Sequence, residues 1–158
     1  MWKKIKPYII SVAIALLVGG LSALLTKSGM EEYQKVNQPP LSPPMVVFPI
    51  VWTILFTLMG ISSAIIYEKG KYDDAEISSA IRIYGLNLIV NFFWSIIFFN
   101  LGAYLFAFIW LLLLLVIIIL MIVEFYKISK TAALLQIPYL LWVAFAGYLN
   151  FMIYLLNK

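Results

Sequence analysis

The chain has 158 residues, of which 65% are hydrophobic and 11% charged, with a net charge of +4. A soluble domain carries about 25% charged residues, so this sequence cannot supply a water-facing surface. A mean hydropathy of +1.03 makes lipid the expected solvent and leaves room for one membrane domain and no separate soluble one. Cysteine and histidine are both absent, which excludes disulfides, zinc and iron–sulfur sites, imidazole-ligated haem and the common catalytic triads. No GxxxxGKS/T phosphate loop occurs, so nucleotide-driven pumping is not expected. The basic residues flank apolar runs rather than forming a patch with interleaved aromatics, which points to membrane boundaries and not to nucleic acid.

The first uncharged run, Pro7 to Thr26, is long enough at about 1.5 Å per residue to cross a hydrocarbon core of about 30 Å. Lysines before it resemble the start of a signal peptide, but the run exceeds the roughly 7–15 apolar residues of one, so this span is expected to be retained. Ser11, Ala15, Gly19 and Ala23 recur every four residues and form a small-residue stripe for close helix packing, within the chain or between chains. A polar connection is expected over 27–43, ending in Gln38-Pro39-Pro40-Leu41-Ser42-Pro43-Pro44, where the prolines favour an extended, semi-rigid course. Pro44 is expected in the first turn of a second span, 44–67, where its missing N–H is harmless. Gly60 and Ala64 give this span a shorter small-residue pair, and Glu68 to Glu76 reads as a solvated loop.

From Ile83 to Val123 there are 41 residues without a charge, too many for one crossing. Asn100-Leu101-Gly102 divides them, since Asn and Gly terminate helices. A third span then covers 79–100 and a fourth 103–124, joined by a very tight turn. The fifth covers 131–156, with Pro138 kinking it near its start. The expected fold is an all-α, five-transmembrane-helix bundle forming a single domain over 1–158. Five crossings put Lys3, Lys4, Lys6, Lys69, Lys71, Arg82, Lys127 and Lys130 on one side, against Lys27, Lys35 and Lys158 on the other. That excess places the N-terminus in the cytoplasm and the proline-rich loop outside. Arg82, near a helix end, can snorkel to the interface.

Asn87, Asn91 and Trp94 share one face of the third span. Amides facing lipid would be unsatisfied, so this face should point into the bundle, either bonding a neighbouring helix or holding a polar group of a ligand. Asn150 on the fifth span is a candidate partner. Trp2 suits an interfacial belt, whereas Trp52, Trp94 and Trp142 lie within spans and offer stacking faces and N–H donors to a flat aromatic ligand. Leu149, Tyr154 and Lys158 fit a loose pattern proposed for sterol contact, which an interfacial Tyr and a terminal Lys explain equally well. The seven carboxylates, Glu31, Glu32, Glu68, Asp73, Asp74, Glu76 and Glu124, fall in loops or at a helix end, and none forms an intramembrane proton relay. No conventional active site is visible.

Gly19-Gly20, Tyr33 and the Pro39 to Pro44 loop are followed by Phe48-Pro49-Ile50-Val51-Trp52-Thr53 and Met59-Gly60. Leu88 to Phe99 then carries Asn91, Trp94 and Phe98-Phe99, and Pro138-Tyr139-Leu140-Leu141-Trp142 leads to Phe145-Ala146 and Leu149-Asn150. In order and spacing, over nearly its whole length, this chain resembles the tryptophan-rich sensory proteins, also called translocator proteins or peripheral-type benzodiazepine receptors. The resemblance implies a five-helix bundle, often a homodimer, in the bacterial cell membrane. Such a bundle binds porphyrins and synthetic ligands of the isoquinoline-carboxamide and benzodiazepine type beneath the first loop. It implies that Trp52 and Trp142 line the pocket, with Phe48, Asn91, Ala146 and Leu149 alongside. Two frequent family tryptophans are replaced, by Leu41 in the first loop and by Phe106 near the start of the fourth span, and the mammalian sterol segment is matched poorly.

Three functions follow. The first is a receptor or sensor for porphyrin-like ligands. With no His or Cys, recognition would rest on stacking and enclosure, which suits metal-free protoporphyrin better than haem; Met or Tyr ligation stays open. The second is light- and oxygen-dependent breakdown of protoporphyrin, with Trp52 and Trp142 as the catalytic, redox-active residues, the pigment as substrate and no cofactor required. The third is transport of a porphyrin- or sterol-like metabolite, which the absence of an internal repeat, a broken helix pair and a coupling carboxylate disfavours.

Overall fold

Apolar length organises the chain. The computed structural model describes residues 1–70 and 74–158, with the side chains of Asp74 and Glu76 outside that description, and among these residues it holds helices and turns but no strand. Among the described residues, five helices are long and apolar enough to cross a membrane. They are α1 (Trp2–Leu25), α3 (Val47–Lys69), α4 (Asp74–Ser95) with its continuation, α5 (Tyr104–Ile128), and the paired α6 (Lys130–Leu135) and α7 (Ile137–Asn157). A short helix, α2 (Lys27–Tyr33), lies between the first two crossings. The all-α five-helix bundle is thus what the sequence led one to expect.

The boundaries shift where proline or a short polar helix is involved. The first span begins at Trp2, with Pro7 inside it. Pro7 removes the bond to the Lys3 carbonyl, but Lys3 is exposed, so water can satisfy that group. The expected connection over 27–43 is part helix, since α2 occupies its first half. Pro44 does not enter the next span. Its carbonyl accepts from the Val47 N–H at 2.9 Å, and Pro49 is the proline that sits in the first turn of α3. Pro43 biases the residue before it, and Pro44 biases Pro43, toward extended backbone, so the helix cannot start before Pro44, and it starts at Val47.

The expected loop over 68–76 narrows, because α3 continues to Lys69 and α4 begins at Asp74. Lys71, Tyr72 and Asp73 lie outside the described residues. Beyond Ser95, α4 passes into a π-helical turn, Ile96–Asn100, with the Leu101 N–H bonded to the Ile96 carbonyl at 3.1 Å. The break at Asn100-Leu101-Gly102 is as expected, and Gly102 has the positive φ of 58° that a glycine takes without strain. α5 runs to Ile128, past the expected end at 124, with its final turn carrying a Lys127–Glu124 ion pair of 2.8 Å. The fifth crossing, 130–157, is interrupted at a single residue near its start, close to the kink expected at Pro138. Gln136 ends α6, and Pro138 occupies the first turn of α7.

The small-residue stripe is used inside the chain. A Cβ placed on Gly60 would lie 2.5 Å from the Val12 Cα, and one on Gly19 would lie 2.5 Å from the Phe56 ring. Ala15 and Ala64 are fully buried. The backbones of α1 and α3 therefore touch, as small residues permit in a bilayer where no hydrophobic force separates helix from lipid. Farther along, the Ser62 hydroxyl donates to the Ala132 carbonyl at 2.7 Å, tying α3 to α6.

Gln136 is fully buried, and among the described residues neither its amide oxygen nor its amide nitrogen has a partner. An unsatisfied buried amide costs about 1–3 kcal/mol. Gln136→Met keeps the shape and removes both polar atoms, so it should raise the unfolding midpoint in detergent, by about 1 kcal/mol of stability. A lowered midpoint would show that the amide is bonded.

Candidate functional site

Between α1, α3, α4 and α7, with α2 contributing to its lining, lies a cavity of about 370 Å³, within the range of about 300–1,000 Å³ typical of small-molecule sites. Its walls are mainly aromatic. α3 contributes Phe48, Trp52 and Phe56, α4 and its π turn contribute Trp94, Phe98 and Phe99, and α7 contributes Trp142. Phe48 meets Trp142 edge-on at a centroid distance of 6.0 Å, and Trp52 meets Tyr139 edge-on at 6.3 Å. Trp94 stacks on Phe98 at 5.2 Å. The π turn has a local consequence, because it brings the consecutive Phe98 and Phe99 both against Tyr33 of α2, at 5.4 and 5.5 Å.

The polar face of α4 points inward. Asn91 Nδ2 donates to the Tyr139 hydroxyl at 2.7 Å, and that hydroxyl donates to Asn87 Oδ1 at 2.6 Å. The Trp94 indole N–H donates to Asn150 Oδ1 at 3.1 Å, and Asn150 Nδ2 donates to the Tyr104 carbonyl at 2.8 Å. Asn87 and Trp94 thus join helices. Asn91 does so as well, but it also lines the cavity, and its amide oxygen accepts no bond from the described residues. The amide face therefore bonds neighbouring helices, and Asn91 and Trp94 on it also border the cavity.

The mouth is covered by a fixed element. A Cβ on Gly29 would lie 2.4 Å from the Phe99 carbonyl oxygen, so α2 rests directly on the end of the π turn. Asn100 Nδ2 adds a bond to the Leu25 carbonyl at 2.9 Å. Tyr33 is buried there, and burial pushes its phenol above the usual value, so it stays neutral. The loop beyond α2 is pinned to α7. The Asn37 N–H donates to Asn157 Oδ1 at 2.9 Å, Asn157 Nδ2 donates back to the Asn37 carbonyl at 3.0 Å, and the Tyr148 hydroxyl donates to the Pro40 carbonyl at 3.0 Å. A turn closed from the Ser42 N–H to the Pro39 carbonyl holds Leu41 at φ 69°, a conformation glycine takes more readily.

All six residues singled out in the sequence, Phe48, Trp52, Asn91, Trp142, Ala146 and Leu149, line this one cavity. The two replaced tryptophan positions lie elsewhere. Leu41 is 79% exposed at the loop tip and Phe106 is 51% exposed beside Trp110, and neither lines the cavity. Missing from the sequence reading were Gly19, Ser22 and Ala23 of α1 and the α2 residues Lys27, Met30 and Glu31. The spacing 27, 30, 31, 34 is one helical face, and a helical reading of that segment would have exposed it. Trp142 also borders a second, open groove of about 420 Å³ on the outside of α3 and α7, shared with Leu141 and Phe145. Trp52 and Asn91 border the inner cavity and not the groove.

Five membrane-crossing helices, with an aromatic cavity between four of them, define a helical integral membrane protein. Residues 11–156 match the TspO/MBR family, and the chain belongs to it. It is 35% identical over 158 residues to the tryptophan-rich protein TspO of Chlorobaculum tepidum, covering 99% of each chain. It is 37% identical over 148 residues to the protein of the same name in Archaeoglobus fulgidus, covering 93% of this chain and 94% of that one. The translocator protein of Bos taurus is 30% identical over 149 residues, with 92% and 88% covered.

Proposed function

We propose that this protein is a membrane receptor or sensor that holds porphyrin-like aromatic ligands, protoporphyrin first among them, in the cavity between α1, α3, α4 and α7. The observation that carries this reading is the convergence of Trp52, Asn91 and Trp142 on one apolar chamber. Mainly aromatic walls with a few polar groups, Asn91 among them, suit a flat ligand with few hydrogen-bonding groups. Without His or Cys, the metal-free pigment is the better fit. The pinned loop supports slow exchange of a ligand and argues against a freely open channel.

Titration of the purified protein with protoporphyrin, read by pigment fluorescence and tryptophan quenching, tests this. Trp52→Ala and Trp142→Ala should each weaken binding about tenfold, the scale of a lost aromatic stack. Leu141→Ala, which touches only the outer groove, should bind like wild type. Equal titration curves for wild type and Trp52→Ala defeat the assignment.

The N-terminus is assigned to the cytoplasm and α2 to the outside, on the excess of Lys and Arg at the N-terminal end. Because the chain has no cysteine, a single cysteine introduced at Leu41 reports sidedness directly. An impermeant thiol reagent should label it in intact cells; labelling only after lysis reverses the orientation.

A further inference from the structure

The cavity is apolar along its walls and carries formal charge only at its mouth. Among the described residues lining it, Lys27 is the one cation and Glu31 the one anion, a helical turn apart on the same face of α2. Neither forms an ion pair among the described residues, whereas Glu32 and Lys35, which do not line the cavity, pair at 2.8 Å. The position of both charges is set by the backbone, because Gly29 between them packs on the Phe99 carbonyl and Tyr33 beyond them is buried between Phe98 and Phe99.

We infer that this pair sorts ligands by charge: Lys27 receives a carboxylate carried by the bound ligand, and Glu31 beside it opposes a second one. The inference rests on the pocket reading above and names the ligand class more narrowly, as a flat aromatic body bearing an acid group at one edge. A ligand seated against Trp52, Phe98 and Trp142 cannot leave an ionised carboxylate among those walls, since burying an unpaired charge is prohibitive. The acid edge must face the mouth, and the cation it meets there is Lys27. Both side chains are exposed, so water screens them and each should act only at the scale of an exposed ion pair.

Protoporphyrin and its dimethyl ester differ only in the two ionisable groups. Titrating both into wild type, Lys27→Gln and Glu31→Gln in uncharged detergent at low salt separates charge from packing. Relative to the ester, Lys27→Gln should weaken the diacid about two- to five-fold and Glu31→Gln should tighten it by a similar factor. High salt should erase both differences. Equal effects of Lys27→Gln on acid and ester, or no effect on the acid, overturn the charge assignment while leaving the pocket reading intact. A wild type that binds neither form overturns the pocket reading, and this inference with it.

Discussion

Gly60→Ala should destabilise the protein by about 2 kcal/mol net, whereas Gly20→Ala in the facing helix should not destabilise it at all. An added Cβ at Gly60 meets the Val12 Cα at 2.5 Å and the Val12 nitrogen at 2.8 Å. These are main-chain atoms, so no rotamer change relieves the overlap, and α1 and α3 must separate. Overpacking of this kind costs about 1–3 kcal/mol, at the upper end where backbone must move, and outweighs the gain of about 1 kcal/mol in helix propensity. At Gly20 nothing lies within 4 Å of the added atom, so the propensity gain stands alone. Unfolding midpoints of both variants in one detergent make the comparison. Two variants of equal stability would mean that α1 and α3 do not meet at these residues. The consequence reaches the cavity, because α1 supplies Gly19, Ser22 and Ala23 to its wall.

Tyr139→Phe should cost about 2 kcal/mol and loosen the pocket at the same time. The Tyr139 hydroxyl is buried, accepts from Asn91 and donates to Asn87. Deleting it strands two buried amides, each worth about 1–3 kcal/mol when unsatisfied, although membrane hydrogen bonds tend to the lower values. Asn91 then loses the bond that fixes its side chain at the cavity wall. A double-mutant cycle of Tyr139→Phe with Asn91→Leu isolates the coupling, because Asn91→Leu removes one of the stranded groups. The double variant should be less damaged than the sum of the singles by about 1 kcal/mol. Strict additivity would mean that the two side chains do not share a bond.

The crossings were legible because charge is excluded from a bilayer core, so uncharged runs and their lengths mark the spans directly. The break at Gly102 was legible for a local reason, since glycine takes positive φ freely. Other features lack such a signal. α2 was hidden because a short helix in a polar stretch has no long apolar run, and only its face pattern distinguishes it from a loop. The π turn at Ile96–Asn100 has no composition that marks it in the sequence. The four-residue stripe on α1 was visible, but spacing cannot say which helix fills it; the Gly19–Phe56 and Gly60–Val12 approaches identify α3. The six cavity residues were assembled from family resemblance. Periodicity alone put Asn91 on an inward face, but it could not bring Phe48, Trp52 and Trp142 together across two helices. Trp142 shows the limit, because it borders both the cavity and the outer groove.

That double position decides which experiment is most direct. Quenching of Trp142 alone would be ambiguous, so the decisive measurement is an experimental structure with protoporphyrin bound. The pigment should lie in the inner cavity, against both Trp52 and Trp142, with Asn91 in contact and α2 above it. A pigment seated in the open groove against Leu141 and Phe145, with Trp52 and Asn91 untouched, would contradict the central claim.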